Sequence, residues 1–225
     1  ALFLVTNANS LIVENPYTNS FKKAYALYPS VPKGVLEAVA WTQTRFTHLS
    51  NEENSCIGLP QAFSVMGLTE DGKDYFRSNL SFVAQLSGFT EKDIKQNAET
   101  SIIAYAAAFN KLQSLHANFS SNPADYKKIL VELSELPIIN NLTNDFVMNS
   151  HLYQLFWFLN KGEFQDAYNF PDYHLNLEEI FGDNYAVLSS SSLKVSSSSV
   201  STPNGQQYKS GLLTLASPDY PSAIW

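Results

Sequence analysis

The sequence predicts an all-α protein with a C-terminal helical extension and a Ser-rich tail. Three observations support this. Apolar residues recur at helical spacing in several segments, one long segment is rich in Ala, and Gly or Pro stops fall where those patterns end. At 225 residues, 44% hydrophobic and only 16% charged, the chain can bury a substantial core as one large or two small domains.

Taken in order, residues 1–15 read as an irregular lead-in. NPYTNS carries turn chemistry, and FKKAYALYP gives a short amphipathic turn or two ending at Pro29. Pro32 suits the first turn of the next helix, in which Val35, Leu36, Val39 and Phe46 share a face. Gln43 lies four residues after Val39 and three before Phe46. It therefore sits on that apolar stripe, where Leu or Ile is expected.

The stretch NEENSCIGLPQAFSVMGLTEDGK is full of turn formers and has no sustained period, so it reads as a long loop ordered by its apolar residues. A helix is expected over roughly Tyr75 to Leu86, ended by Gly88, with Thr90 and Asp93 capping a short successor. QNAETSIIAYAAAFNKLQSL is the strongest helix, with Ile102, Ala106, Phe109 and Leu112 on one face. Asp125 to Leu136 is amphipathic and stops at Pro137, and Asn144 to Leu159 is apolar on most sides and therefore central. Aromatics stay dense after Gly162, and from Ser189 a serine tract reads as a linker. The resulting division is a lead-in over 1–15, a domain over 16–115, a helical extension over 116–182, and a Ser-rich linker over 183–225 pointing to a downstream catalytic domain.

A net charge of −7 argues against general affinity for nucleic acid or an anionic membrane, since both require a basic face. No apolar run of about 18 residues exists, so no membrane insertion is expected. The expected ligand is uncharged or read by shape. A lone Cys56 rules out an internal disulfide framework and reads as a small half-buried thiol. The start ALFLVTNANS lacks both an initiator Met and a basic leader, as though trimmed of a targeting signal. With a Ser/Thr/Asn-rich, Lys-poor surface, this suggests a secreted or periplasmic protein.

Three short motifs bear on chemistry: Trp41, Thr42, Gln43, Thr44, Arg45 and Phe46; then Ile57, Gly58, Leu59, Pro60, Gln61, Ala62 and Phe63; then Ala107, Ala108, Phe109 and Asn110. In this order and spacing they resemble the goose-type lysozyme and soluble lytic transglycosylase family, over about Tyr28 to Leu112. The resemblance implies a lysozyme-like fold, a peptidoglycan glycan strand as partner, and no cofactor. It puts the catalytic position at Gln43 and substrate contacts at Thr44, Gly58, Leu59, Gln61, Phe109 and Asn110. Three positions depart from the family pattern. Gln43 replaces the catalytic Glu, Pro60 the loop Met, and Phe109 the Tyr of the third motif.

Glutamine keeps the shape of the acid but cannot donate its proton, and general acid catalysis is worth roughly 10²- to 10⁴-fold. The chain is therefore expected to bind better than it cleaves, whether the amide is natural or introduced. Another carboxylate could compensate. Glu37 lies about 240° round the helix from Gln43 and is expected to be a solvated charge. Glu52 and Glu53 are expected to solvate the following loop.

The order of helical module, serine tract and PDYPSAIW resembles the region preceding the zinc-dependent domain of secreted N-acetylmuramoyl-L-alanine amidases. His48, His116, His151 and His174 lack zinc-site spacing, and each is expected at the surface or satisfied in the core. No Gly-x-Ser-x-Gly elbow, phosphate-cradling Gly loop or Cys-x-x-Cys pair occurs. The aromatics from Tyr153 to Tyr185 are expected to be core. Three functions follow as expectations: recognition of the murein glycan strand; an active lysozyme or transglycosylase whose acid has been mutated or is compensated; or a helical module that touches no sugar and positions an amidase.

Overall fold

The computed structural model describes residues 12–50, 60–70 and 76–211, and they are mostly helical. Helix α1 is Thr18–Leu27 and α2 is Val35–Thr44; the strands β1, Gln61–Phe63, and β2, Leu68–Glu70, follow. Next come α3 (Asn79–Ser87), α4 (Glu91–Gln96) and α5 (Ala98–Leu115). A 3₁₀ turn at Pro123–Tyr126 runs into α6 (Lys127–Glu132), followed by α7 (Leu142–Leu159), α8 (Gly162–Tyr168), α9 (Leu177–Phe181) and α10 (Tyr185–Leu188). Strands β3 (Lys194–Val195) and β4 (Val200–Ser201) complete the described chain.

Helix α5 is the hub, contacting α1, α2, α3, α4 and α6. Asn97 caps it by accepting the Thr100 N–H at 2.9 Å, and Ile102, Ala106, Phe109 and Leu112 are all fully buried. The Thr90 hydroxyl caps α4 as expected, accepting the Asp93 N–H at 3.1 Å, and Gly88 ends α3 in the left-handed conformation. One continuous apolar cluster runs from Phe21 to Phe181 and joins α1 through α9. Within it Trp41 packs on Trp157, Phe158 and Phe164, so these rings face one another instead of a ligand.

Four expectations need correction. The turn or two expected in FKKAYALYP belong to a ten-residue helix, α1, because Phe21 and Ala24 find a buried face against α5. The expected loop contains an antiparallel hairpin, β1 and β2, with Ala62 opposite Thr69; the left-handed Ser64 and Gly67 allow its reversal. Its flanks, 51–59 and 71–75, lie outside the described residues, and with them Glu52, Glu53 and Cys56. Helix α3 starts at Asn79 instead of near Tyr75, because the Asn79 side chain is spent on the hairpin and on the Leu133 carbonyl. The serine tract read as a linker is folded as far as Gly211. Strands β3 and β4 pair, and Val200 and Tyr208 pack beneath Val187. Tyr208 docks this hairpin on α7 by donating to the Asp145 carboxylate at 2.9 Å. Residues 212–225 lie outside the described residues.

Candidate functional site

Helix α2 ends abruptly. Arg45 and Phe46 both take left-handed φ, +54° and +60°, and the chain turns back beneath the helix. The Arg45 guanidinium lies 3.6 Å over the Trp41 ring and holds that turn down. Gln43 is thus presented on the last helical turn, half-buried, with the β-hairpin laid against its stem. Gly67 makes the approach possible: at φ +63°, a Cβ there would lie 2.6 Å from the Gln43 Cβ. The buried Thr44 hydroxyl lies 2.7 Å from the Val65 carbonyl and 2.9 Å from that of Ala40, tying hairpin to helix. Thr44 is therefore a buried structural clamp whose one hydroxyl proton is already spent on backbone carbonyls.

The Gln43 amide donates to the Glu135 carboxylate at 3.4 Å. Glu135 sits after α6 on a segment that Arg77 pins. Its guanidinium donates to the carbonyls of Val131, Ser134 and Leu136, at 2.6 Å to Ser134 and 2.7 Å to Leu136. The Glu135 carbonyl in turn accepts the Arg77 N–H at 2.8 Å. Facing these from α7 come Val147, Ser150, His151 and Gln154, at the i, i+3, i+4, i+7 spacing of one helix face. Together with Thr42 and Leu136 they line a cavity of about 240 Å³. The Thr42 hydroxyl is buried there without a hydrogen-bond partner.

Burial lowers the His151 pKa against the opposing pull of the Glu135 carboxylate. Burial also raises the Tyr105 phenol well above its ordinary value, and Glu135 adds to the rise. A carboxylate, two amides, a neutral imidazole and two hydroxyls thus converge on one small recess.

Other sequence-predicted residues lie elsewhere. Gln61 is at the open end of the hairpin, opposite Glu70, and does not line the recess. Phe109 is fully buried with its ring against Tyr126 at 5.2 Å, so it is core. Asn110 accepts the Ser30 hydroxyl at 2.7 Å and anchors the turn before α2. Ser101, near the start of α5, lies 2.6 Å from Ser64 of the hairpin, so Asn110, nine residues along, is about 13 Å further on. Gly58 and Leu59 lie outside the described residues. Among the described members of the predicted set, only Gln43 faces the recess and only Thr44 supports it.

The residues missed are Glu135 and His151. Glu135 was legible only as an acid between Leu133 and Pro137, and His151 as a polar break in an apolar helix. Glu37 is a further correction. It is 6% exposed, not solvated, and accepts the Tyr25 hydroxyl at 2.5 Å. Among the other histidines, His116 pairs with Glu132 and His174 with Asp172.

No known protein family matches the chain, and neither a curated protein nor a solved structure shows significant similarity to it.

Proposed function

We propose that this chain is a lysozyme-like module of a secreted or periplasmic cell-wall hydrolase, recognising the peptidoglycan glycan strand and binding it better than it cleaves. The reading rests on the three-motif resemblance. One structural observation supports it most: Gln43, the position of the expected acid, opens onto a recess lined by neutral polar groups and one carboxylate. Sugar hydroxyls and acetamido groups pair with such groups. Isothermal titration with purified glycan strands tests it. Saturable binding, weakened by Gln43→Ala, is the expected result. Absence of binding points instead to a helical module that positions an amidase domain, a reading that the separation of Gln61 and Asn110 from Gln43 favours.

A second reading is that of an active glycosidase, and the 3.4 Å approach of Glu135 to Gln43 favours it. A carboxyl at that distance could reach the glycosidic oxygen that the family's acid would serve. Soluble sugar released from cell walls by the unaltered chain, and lost in Glu135→Gln with binding retained, is the outcome that supports it.

A further inference from the structure

A second cavity, of about 360 Å³, opens on another side of α2, between α1, the turn at Lys33 and the end of α8. This volume falls within the roughly 300–1,000 Å³ of small-molecule sites. Glu37 and Tyr25 line it together with Lys22, Lys33, Tyr168 and Asn169. Glu37 stands at the third position of α2, where an acidic residue faces the helix's orphan N–H groups. The Tyr25 hydroxyl donates to it and accepts the Leu36 N–H at 3.1 Å, so both side chains are held in place.

The charges around this cavity are unbalanced. Lys22 and Lys33 are exposed at its edge, and neither has an acidic partner among the described residues. Among the described residues Glu37 likewise has no basic partner within salt-bridge distance. Two ammonium groups are therefore left without an acidic partner around the opening, with the Asn169 amide beside them, while the Thr18 hydroxyl already donates to the Asn15 carbonyl at 3.0 Å. Such a rim calls for an anion with a few oxygen acceptors.

We propose that this cavity binds a small carboxylate-bearing molecule, with Lys22 and Lys33 gripping the carboxylate and the Glu37 carboxyl donating to it from the wall. An acid and a carboxylate share one proton in a charge-assisted hydrogen bond, which a fully ionised wall could not form. Burial is the largest cause that raises Glu37 to about 7, so both its forms are present near neutral pH. The groups facing it are Tyr25 and Lys22 from α1, Lys33 from the preceding turn, Tyr168 from α8, and Tyr173 beyond it. The Tyr173 phenol is itself raised to about 12, first by burial and then by Glu37. Binding is thus expected to weaken about tenfold from pH 6 to pH 8 as Glu37 ionises.

Amide-resolved NMR titration of the full chain tests the site with three probes. N-acetylmuramic acid supplies a sugar carboxylate, N-acetylalanine a peptide-type carboxylate, and N-acetylglucosamine the sugar without the acid. One or both carboxylates are expected to shift Lys33 through Glu37 and Asn169, while N-acetylglucosamine leaves them unmoved. Lys22→Ala with Lys33→Ala abolishes the shifts, and Glu37→Gln keeps binding but flattens its pH dependence. Equal shifts from N-acetylglucosamine, tighter binding at pH 8, unchanged binding in the double lysine variant, or no saturable shift from either carboxylate overturns the proposal. N-acetylalanine carries no sugar, and the Gln43 recess is a separate reporter, so glycan recognition succeeds or fails independently.

Discussion

A carboxyl placed at position 43 would stand within hydrogen-bonding distance of the Glu135 carboxylate, because the present amide donates to it at 3.4 Å. Two carboxyls so close cannot both ionise easily, and one is driven to keep its proton toward neutral pH. Gln43→Glu is therefore expected to create the proton-holding acid that a glycosidase requires. On cell walls it should raise sugar release by roughly 10²- to 10⁴-fold, the usual worth of general acid catalysis. The gain should be lost as pH rises, and Gln43→Glu combined with Glu135→Gln should shift that loss to lower pH. Unchanged turnover in Gln43→Glu would count against a catalytic lineage for this recess. The oddity of Gln43 was legible in the sequence, since an amide on an apolar stripe needs a partner. The partner was not, because Glu135 lies 92 residues away and meets Gln43 only after α6 and the segment beyond it have been placed.

At the scale of elements, two residues place the recess, and neither touches its interior chemistry. Arg77 gathers three carbonyls around Glu135, so Arg77→Ala leaves several partly buried acceptors without a donor. A loss of about 2–4 kcal/mol is expected from urea unfolding, with Arg77→Lys recovering little because a single ammonium cannot span the same fork. Gly67→Ala meets both a left-handed backbone and the Gln43 stem, and should cost about 2–4 kcal/mol in the same assay. Helices α2 and α5 are legible from their periodicity because each buries a face against its neighbours, and α7 from an apolar run that is covered on most sides. The β1–β2 hairpin is not, because its residues carry no alternating pattern and its order depends on Thr44, Asn79 and Ser101. The serine hairpin is hidden for the same reason. Its anchor is Tyr208, whose partner Asp145 belongs to a helix 63 residues earlier.

Across the whole molecule, one buried acid sets a stability trend that opposes the usual behaviour of carboxylates. Glu37 has an ordinary value of 4.5 and is raised to about 7 in the fold, so between these limits the native state holds a proton that the unfolded chain has released. Stability then falls as pH rises through that window and levels off above it. Over about 2.5 pH units, at about 1.36 kcal/mol per unit, the loss is on the order of 3 kcal/mol. His151 acts in the opposite sense. Its lowered pKa means that the unfolded chain gains protons first as pH falls below 6.5, which costs native stability on the acid side. The quantity to measure is therefore the difference between the unaltered chain and Glu37→Gln, in which the His151 contribution cancels. Urea midpoints from pH 4.5 to pH 8 should show that difference growing in favour of Glu37→Gln by up to about 3 kcal/mol, most of it below pH 7. A flat difference would mean that Glu37 ionises in the fold as it does in water, and the second cavity would lose its neutral donor. If the slope is present, a carboxylate ligand should steepen it. It binds the protonated form more tightly, and so stabilises the fold more at pH 6 than at pH 8.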